Sequence, residues 1–95
     1  MQIRWFSDAV SDLIEIHNYI ANDKPGSAQS VAERIKYETS LLKENPGAGR
    51  PGRVEGTREL VVPGLPYIIF PYRVKNNVIE ILRVLHAARK WPKKF

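Results

Sequence analysis

Apolar residues recur at strand spacing in four stretches of this chain and at helical spacing in two. IRWF, residues 3 to 6, reads as a strand. Ser7 followed by Asp8 supplies a cap and a first-turn acid for a helix that is expected to run to about Asn22. Within it Val10, Leu13, Ile14, His17 and Ile20 or Ala21 fall on one stripe, with Asp8, Asp12, Glu15 and Asn22 off it. His17 therefore reads as a histidine at the edge of the core. DKPGS, residues 23 to 27, is a turn. Ala28, Val31, Ala32, Ile35, Thr39 and Leu42 then repeat the stripe until Asn45 and Pro46 stop it. Two helices joined so closely form an αα-hairpin.

VEGTRELVV, PYIIFPYRV and NVIEILRVLH follow, three runs rich in β-branched and aromatic residues, separated by PGLP and KNN. They predict an antiparallel meander. Pro71 cannot donate to a sheet ladder, so a bulge or a local edge is expected in the middle run, with side-chain faces beyond it open to a one-residue shift. The predicted fold is α+β, in the order β-α-α-β-β-β: an antiparallel sheet with an αα-hairpin packed on one face, the other face being left for binding.

Composition restricts this picture. With 95 residues, 43% of them hydrophobic, the chain makes one domain, 1–95, since a chain this size buries about 60–68% of its unfolded surface and cannot divide a core. No apolar run approaches the roughly 18 to 20 residues that cross a bilayer, and MQIRWF has no hydrophobic signal segment behind it, so a cytoplasmic protein without membrane contact is expected. The absence of cysteine excludes disulfides and thiolate chemistry. His17 and His86 alone do not make a metal site, and neither metal nor cofactor is expected.

Charge is unevenly placed. Residues 1–49 carry five basic and seven acidic side chains, a balance of −2, whereas residues 50–95 carry ten and three, a balance of +7. A one-sided positive field favours a polyanionic partner, either nucleic acid or an acidic protein segment. Arg50 and Arg53 lie on NPGAGRPGR, residues 45 to 53, a loop of three glycines and two prolines that lacks the GK[ST] of a phosphate-cradling Walker loop. They either grip phosphates or keep this loop solvated. In the tail, Arg89 and Lys90 read as target-binding cations. Trp91 either joins them at an interface or folds back over apolar surface, with Pro92 setting the turn.

The element order, GRPGR before TREL, YIIFPYRV, and the closing ILRVLHAARKWP together resemble the RelE/ParE superfamily of toxins from bacterial type II toxin–antitoxin pairs, over nearly the whole chain. The resemblance implies a small basic toxin in a hetero-oligomer with a cognate antitoxin, whose acidic or amphipathic segment docks on it by apolar burial and charge pairing. It implies one of two targets. RelE-like members cleave mRNA in the ribosome: the RNA 2′-hydroxyl attacks the adjacent phosphate, which requires a base, an acid and cations. His86 is the proton carrier available on the meander, with Arg58, Arg83 and Arg89 as cations and Tyr67 or Tyr72 assisting. ParE-like members poison DNA gyrase and do not depend on those residues. Relatives in the nuclease branch commonly carry an arginine where this chain has Tyr67, and a tyrosine or histidine–tyrosine pair where it has Ala87 and Ala88. These departures favour the gyrase branch, with an inactive basic binding module as a third possibility.

Overall fold

The computed structural model describes residues 1–62, 64–86, 91 and 92, and for residues 25 and 65–69 the backbone alone. Strand β1 (Gln2–Trp5) leads into helix α1 (Ser7–Ala21) and helix α2 (Pro25–Ser40), which continues as a 3-10 turn over Leu41–Lys43. The strands β2 (Arg50–Pro51), β3 (Arg58–Val62), β4 (Leu65–Lys75), β5 (Val78–Ile81) and β6 (Leu85–His86) follow. In space the order is β1-β5-β4-β3-β2, with β6 pairing β4 beyond the end of β5. All pairs are antiparallel except β1 with β5. The first strand thus enters the meander's sheet beside its last long strand, an arrangement that needs the αα-hairpin as part of a long connection.

The local reasons are visible in the residues. In β1, Ile3 and Trp5 pack on the core while Gln2 and Arg4 are exposed. Trp5 meets Phe70 edge to face, the ring centroids 6.5 Å apart at 79°. Pro25 occupies the first turn of α2, where its fixed φ fits and its missing N–H costs nothing, so this helix starts three residues before the apolar stripe does. Ala28, Ile35, Thr39 and Leu42 are buried as the pattern predicts; Thr39 turns its hydroxyl back onto the Ile35 carbonyl. Asn76 and Asn77, at φ 52° and 63°, form the two-residue turn of the β4–β5 hairpin.

Four expectations are corrected. Ser7 is the first helical residue and Phe6 the cap position, with no side-chain cap hydrogen bond. The core stripe of α1 is centred on Ala9, Leu13 and Ile16, whereas Val10 is 41% and Ile14 55% exposed. Asp12, expected off the stripe, is buried, because three donors from the sheet side satisfy its carboxylate. NVIEILRVLH is two strands, β5 and β6, with Leu82–Val84 leaving the ladder between them.

Pro71 explains part of that break, although the register on either side of it is continuous: Glu59 stands opposite Pro71 and Arg58 opposite Tyr72. Its carbonyl accepts the Leu82 N–H at 2.9 Å. A residue's N–H and C=O point to the same side of a strand, so the donor that proline lacks would have faced the same neighbour. That neighbour is the segment that departs from the sheet. The ladder's actual jump lies earlier in β4, where Val61 pairs Ile69 and Val62 pairs Leu65.

Candidate functional site

The αα-hairpin covers one face of the sheet, and the opposite face carries alternating charged positions of β1, β5, β4 and β3. Two carboxylates are sunk into it. Glu59, 2% exposed, accepts Arg50 Nη2 at 3.2 Å and the Arg53 backbone N–H at 2.7 Å, with Arg53 Nε at 3.8 Å. The Arg53 guanidinium lies 3.9 Å from the centre of the Trp91 ring. Trp91 is half-buried, and its indole N–H is enclosed with no acceptor among the described residues. The loop cations and Trp91 therefore form one cluster, held by a carboxylate whose burial the sequence pattern did not signal.

Glu80 plays the same part on the other side of β4. It accepts Arg73 Nε at 2.6 Å and stands in register with Arg4 of β1. The guanidinium carbons of Arg4 and Arg73 lie 5.4 and 5.6 Å from the Phe6 ring centre. None of these four residues was singled out from the sequence. The alternation of Arg4 and Phe6 with Ile3 and Trp5 was the available signal.

Arg58 is turned to the rim of the glycine loop, donating to the Gly49 carbonyl at 2.8 Å and to Gly47 at 3.5 Å. Beneath it, Tyr72 is fully buried: its hydroxyl donates to the Pro46 carbonyl and accepts the Gly49 N–H, both at 2.8 Å. Burial pushes the Tyr72 hydroxyl above its ordinary range, with the Gly49 N–H and the nearby Arg58 pulling the other way. A methyl at Gly49 would stand 2.7 Å from the Tyr72 ring, so this loop is closed down onto the tyrosine.

Arg83 belongs to neither cluster. Its guanidinium grips Asp12 at 2.6 and 3.0 Å, and Asp12 also accepts the Val84 N–H at 3.0 Å. The bond to Asp12 raises the guanidinium's already high range further. His86 is exposed at the end of β6, opposite Ile68 of β4. Arg58 stands opposite Tyr72, on the other side of β4. Four residues along β4 and two strand spacings across it put the His86 and Arg58 backbones about 16 Å apart. Tyr67 lies in β4, next to the residue that pairs His86, with its backbone alone described. Arg89 and Lys90, with Ala87 and Ala88, lie outside the described residues. His17 lines a cavity of about 220 Å³ between the helices, with Leu13, Gln29 and Lys36. Among the described residues no group of three or more acidic or histidine side chains is placed to hold a metal ion.

Comparison with known proteins bears on this arrangement. Residues 3–91 match the family model described as the ParE toxin of type II toxin–antitoxin system, parDE. The chain is 48% identical over 91 residues to the Y4kP protein of Sinorhizobium fredii, covering 96% of this chain and 93% of that one. It is 38% identical over 88 residues to Toxin RelE2 of Caulobacter vibrioides, covering 93% and 97%. In three dimensions it is similar to a chain of the chromosomal ParDE TA system from P. aeruginosa, with a TM-score of 0.83, 31% identity, and coverage of 90% of this chain and 95% of that one. The mixed sheet with its αα-hairpin and the family match along almost its full length lead to one assignment: the chain belongs to the ParE toxin family of type II toxin–antitoxin systems.

Proposed function

We propose that this toxin arrests growth by acting on DNA gyrase, trapping cleaved DNA. The observation that carries the reading is the dispersal of the nuclease inventory. Arg83 is bound to Asp12 on the helix side, Arg58 is bound to loop carbonyls, and the Arg58 backbone stands about 16 Å from that of His86 by strand register. An RNA-cleaving centre needs its proton carrier and its cations around one phosphate. A gyrase poison needs a binding surface, and Arg50, Arg53 and Trp91 supply one in a pre-formed cluster; Arg89 and Lys90 immediately precede Trp91 in the sequence. In this reading the protein is not an enzyme and needs no cofactor.

As a toxin of a type II pair, the chain has a cognate antitoxin as its partner. The proposed contact is an acidic or amphipathic antitoxin segment that meets the positive half of the chain and neutralises it in the cytoplasm. Among the described residues no helix is long and apolar enough to cross a membrane.

A second reading is favoured by a specific observation, the 38% identity to a relative named Toxin RelE2. In that reading His86, exposed on β6, serves a metal-independent cleavage of ribosome-bound mRNA, with Tyr67 on the adjacent strand. Purified toxin added to gyrase and relaxed plasmid separates the two. Inhibited supercoiling with accumulated linear DNA supports the gyrase reading; codon-phased mRNA cuts that His86→Ala abolishes, with gyrase untouched, support the other.

A further inference from the structure

We propose that the open face of the sheet binds the phosphate backbone of nucleic acid through two matched arginine pairs, one of which, Arg4 and Arg73, lies far from the glycine loop in sequence. The two clusters are built alike. Each has a buried carboxylate among arginines: Glu59, 2% exposed, pairs with Arg50 and Arg53, and Glu80, 8% exposed, pairs with Arg73 and stands in strand register with Arg4. Each stacks guanidinium on an aromatic ring, Arg53 on Trp91, and Arg4 and Arg73 beside Phe6. Two cations against one anion leave each cluster with one excess positive charge.

The chemistry of the cations fits phosphate. Arg73 uses Nε on Glu80, and Arg50 uses Nε and one Nη on Glu59. The remaining N–H groups of these forks are the ones that meet a phosphate bidentately. The Arg50 and Arg53 side chains are 53% and 48% exposed, and Arg73 is 34% exposed. Glu59 and the Trp91 ring hold Arg53, Glu80 and the Phe6 ring hold Arg73, Glu59 holds Arg50, and Arg4 lies beside Phe6, which lowers the ordering cost of binding.

Spacing is set by register. Glu80 stands opposite Arg73 and Glu59 opposite Pro71, two residues along the same strand. Two residues of β4 and two strand spacings place the clusters about 12 Å apart. Each phosphate of one strand rises about 3.4 Å along the axis while rotating about it, which separates neighbours by roughly 6–7 Å, so this interval spans about two phosphate steps. A rigid face with two fixed anion sites suits an evenly charged backbone better than an acidic peptide, whose charges sit on side chains that must be ordered on binding. The inference goes beyond gyrase inhibition, because the contact is to nucleic acid itself and needs no gyrase.

Fluorescence anisotropy of the full chain with labelled random-sequence DNA, single-stranded and duplex, at about 50 and 200 mM salt tests it. Arg4→Ala/Arg73→Ala is expected to weaken binding about tenfold on every sequence and to flatten the salt dependence by one to two phosphate contacts. Lys24→Ala/Lys43→Ala, which removes equal charge from the hairpin, should leave affinity within about twofold, since general attraction falls off within a Debye length. Arg4→Ala alone, on an exposed edge position, keeps the test valid if the double variant does not fold, and should weaken binding about threefold. Equal losses in the sheet and hairpin variants, no binding at the lower salt, or tighter binding to a polyglutamate peptide than to DNA would overturn the proposal.

Discussion

Asp12 and Arg83 stand 71 residues apart in sequence and meet through two hydrogen bonds of 2.6 and 3.0 Å. Asp12 Oδ2, which accepts Arg83 Nε, also accepts the Val84 N–H and so fixes the chain where it steps from β5 to β6. One carboxylate thus ties the first helix to the segment that leads to His86. Removing one partner of a buried pair costs about 3–5 kcal/mol; with the two side chains 11% and 28% exposed, about 2–3 kcal/mol is expected for Asp12→Ala. Urea unfolding of Asp12→Ala, Arg83→Ala and the double variant should show a double loss well short of the summed single losses. Additive losses would mean that the pair does not act as a unit.

Tyr72 should govern the alkaline limit of stability. Its hydroxyl is held above its ordinary range by burial, so the folded state favours the neutral form. The sign follows by linkage: the contribution is complete below the unfolded value near pH 10 and is lost as pH rises through the higher folded value. Tyr72→Phe is expected to remove this alkaline loss. At neutral pH it should destabilise by about 1–3 kcal/mol, because the Gly49 N–H and the Pro46 carbonyl lose their shared partner. Thermal melts from pH 7 to 11 check both statements.

Glycine substitutions should divide by position. At Gly49 an added Cβ meets Tyr72 at 2.7 Å and the Glu59 carbonyl at 2.9 Å, and at Gly52 it meets Thr57 Oγ1 and, at 2.9 Å, the Thr57 carbonyl. Alanine at either should cost about 1–3 kcal/mol by forcing the loop off the sheet. Gly26, in the first turn of α2 with nothing within 4 Å, should instead gain about 0.4–1 kcal/mol as alanine. Chemical denaturation of the three variants gives the comparison.

The sequence made the helices and the meander legible because their periods are regular: on the second stripe Ala28, Ile35, Thr39 and Leu42 are buried, with Val31 and Ala32 partly so, and Asn76 and Asn77 mark their turn. It misplaced the α1 stripe by favouring Val10 and Ile14 over a carboxylate. Only the arrival of Arg83 and Val84 from far along the chain makes Asp12 a core-facing residue. Nor can strand spacing show that NVIEILRVLH breaks, since its residues are mostly strand-forming and part of the reason, the donor missing at Pro71, lies in the neighbouring strand. The candidate site was legible as an inventory of arginines. Which cations are paired inside the fold and which form the open face depended on Glu59 and Glu80, two acids whose burial no sequence pattern marks.

The reading of this toxin as a gyrase poison, and not a ribosome-dependent nuclease, is tested most directly by one paired assay in cells expressing it without antitoxin. Gyrase-dependent chromosome breaks and mRNA cleavage are scored in the same culture. The expected result is DNA breakage with mRNA left intact, unchanged in kind by His86→Ala. Codon-phased mRNA cleavage with intact DNA, abolished by His86→Ala, would contradict it.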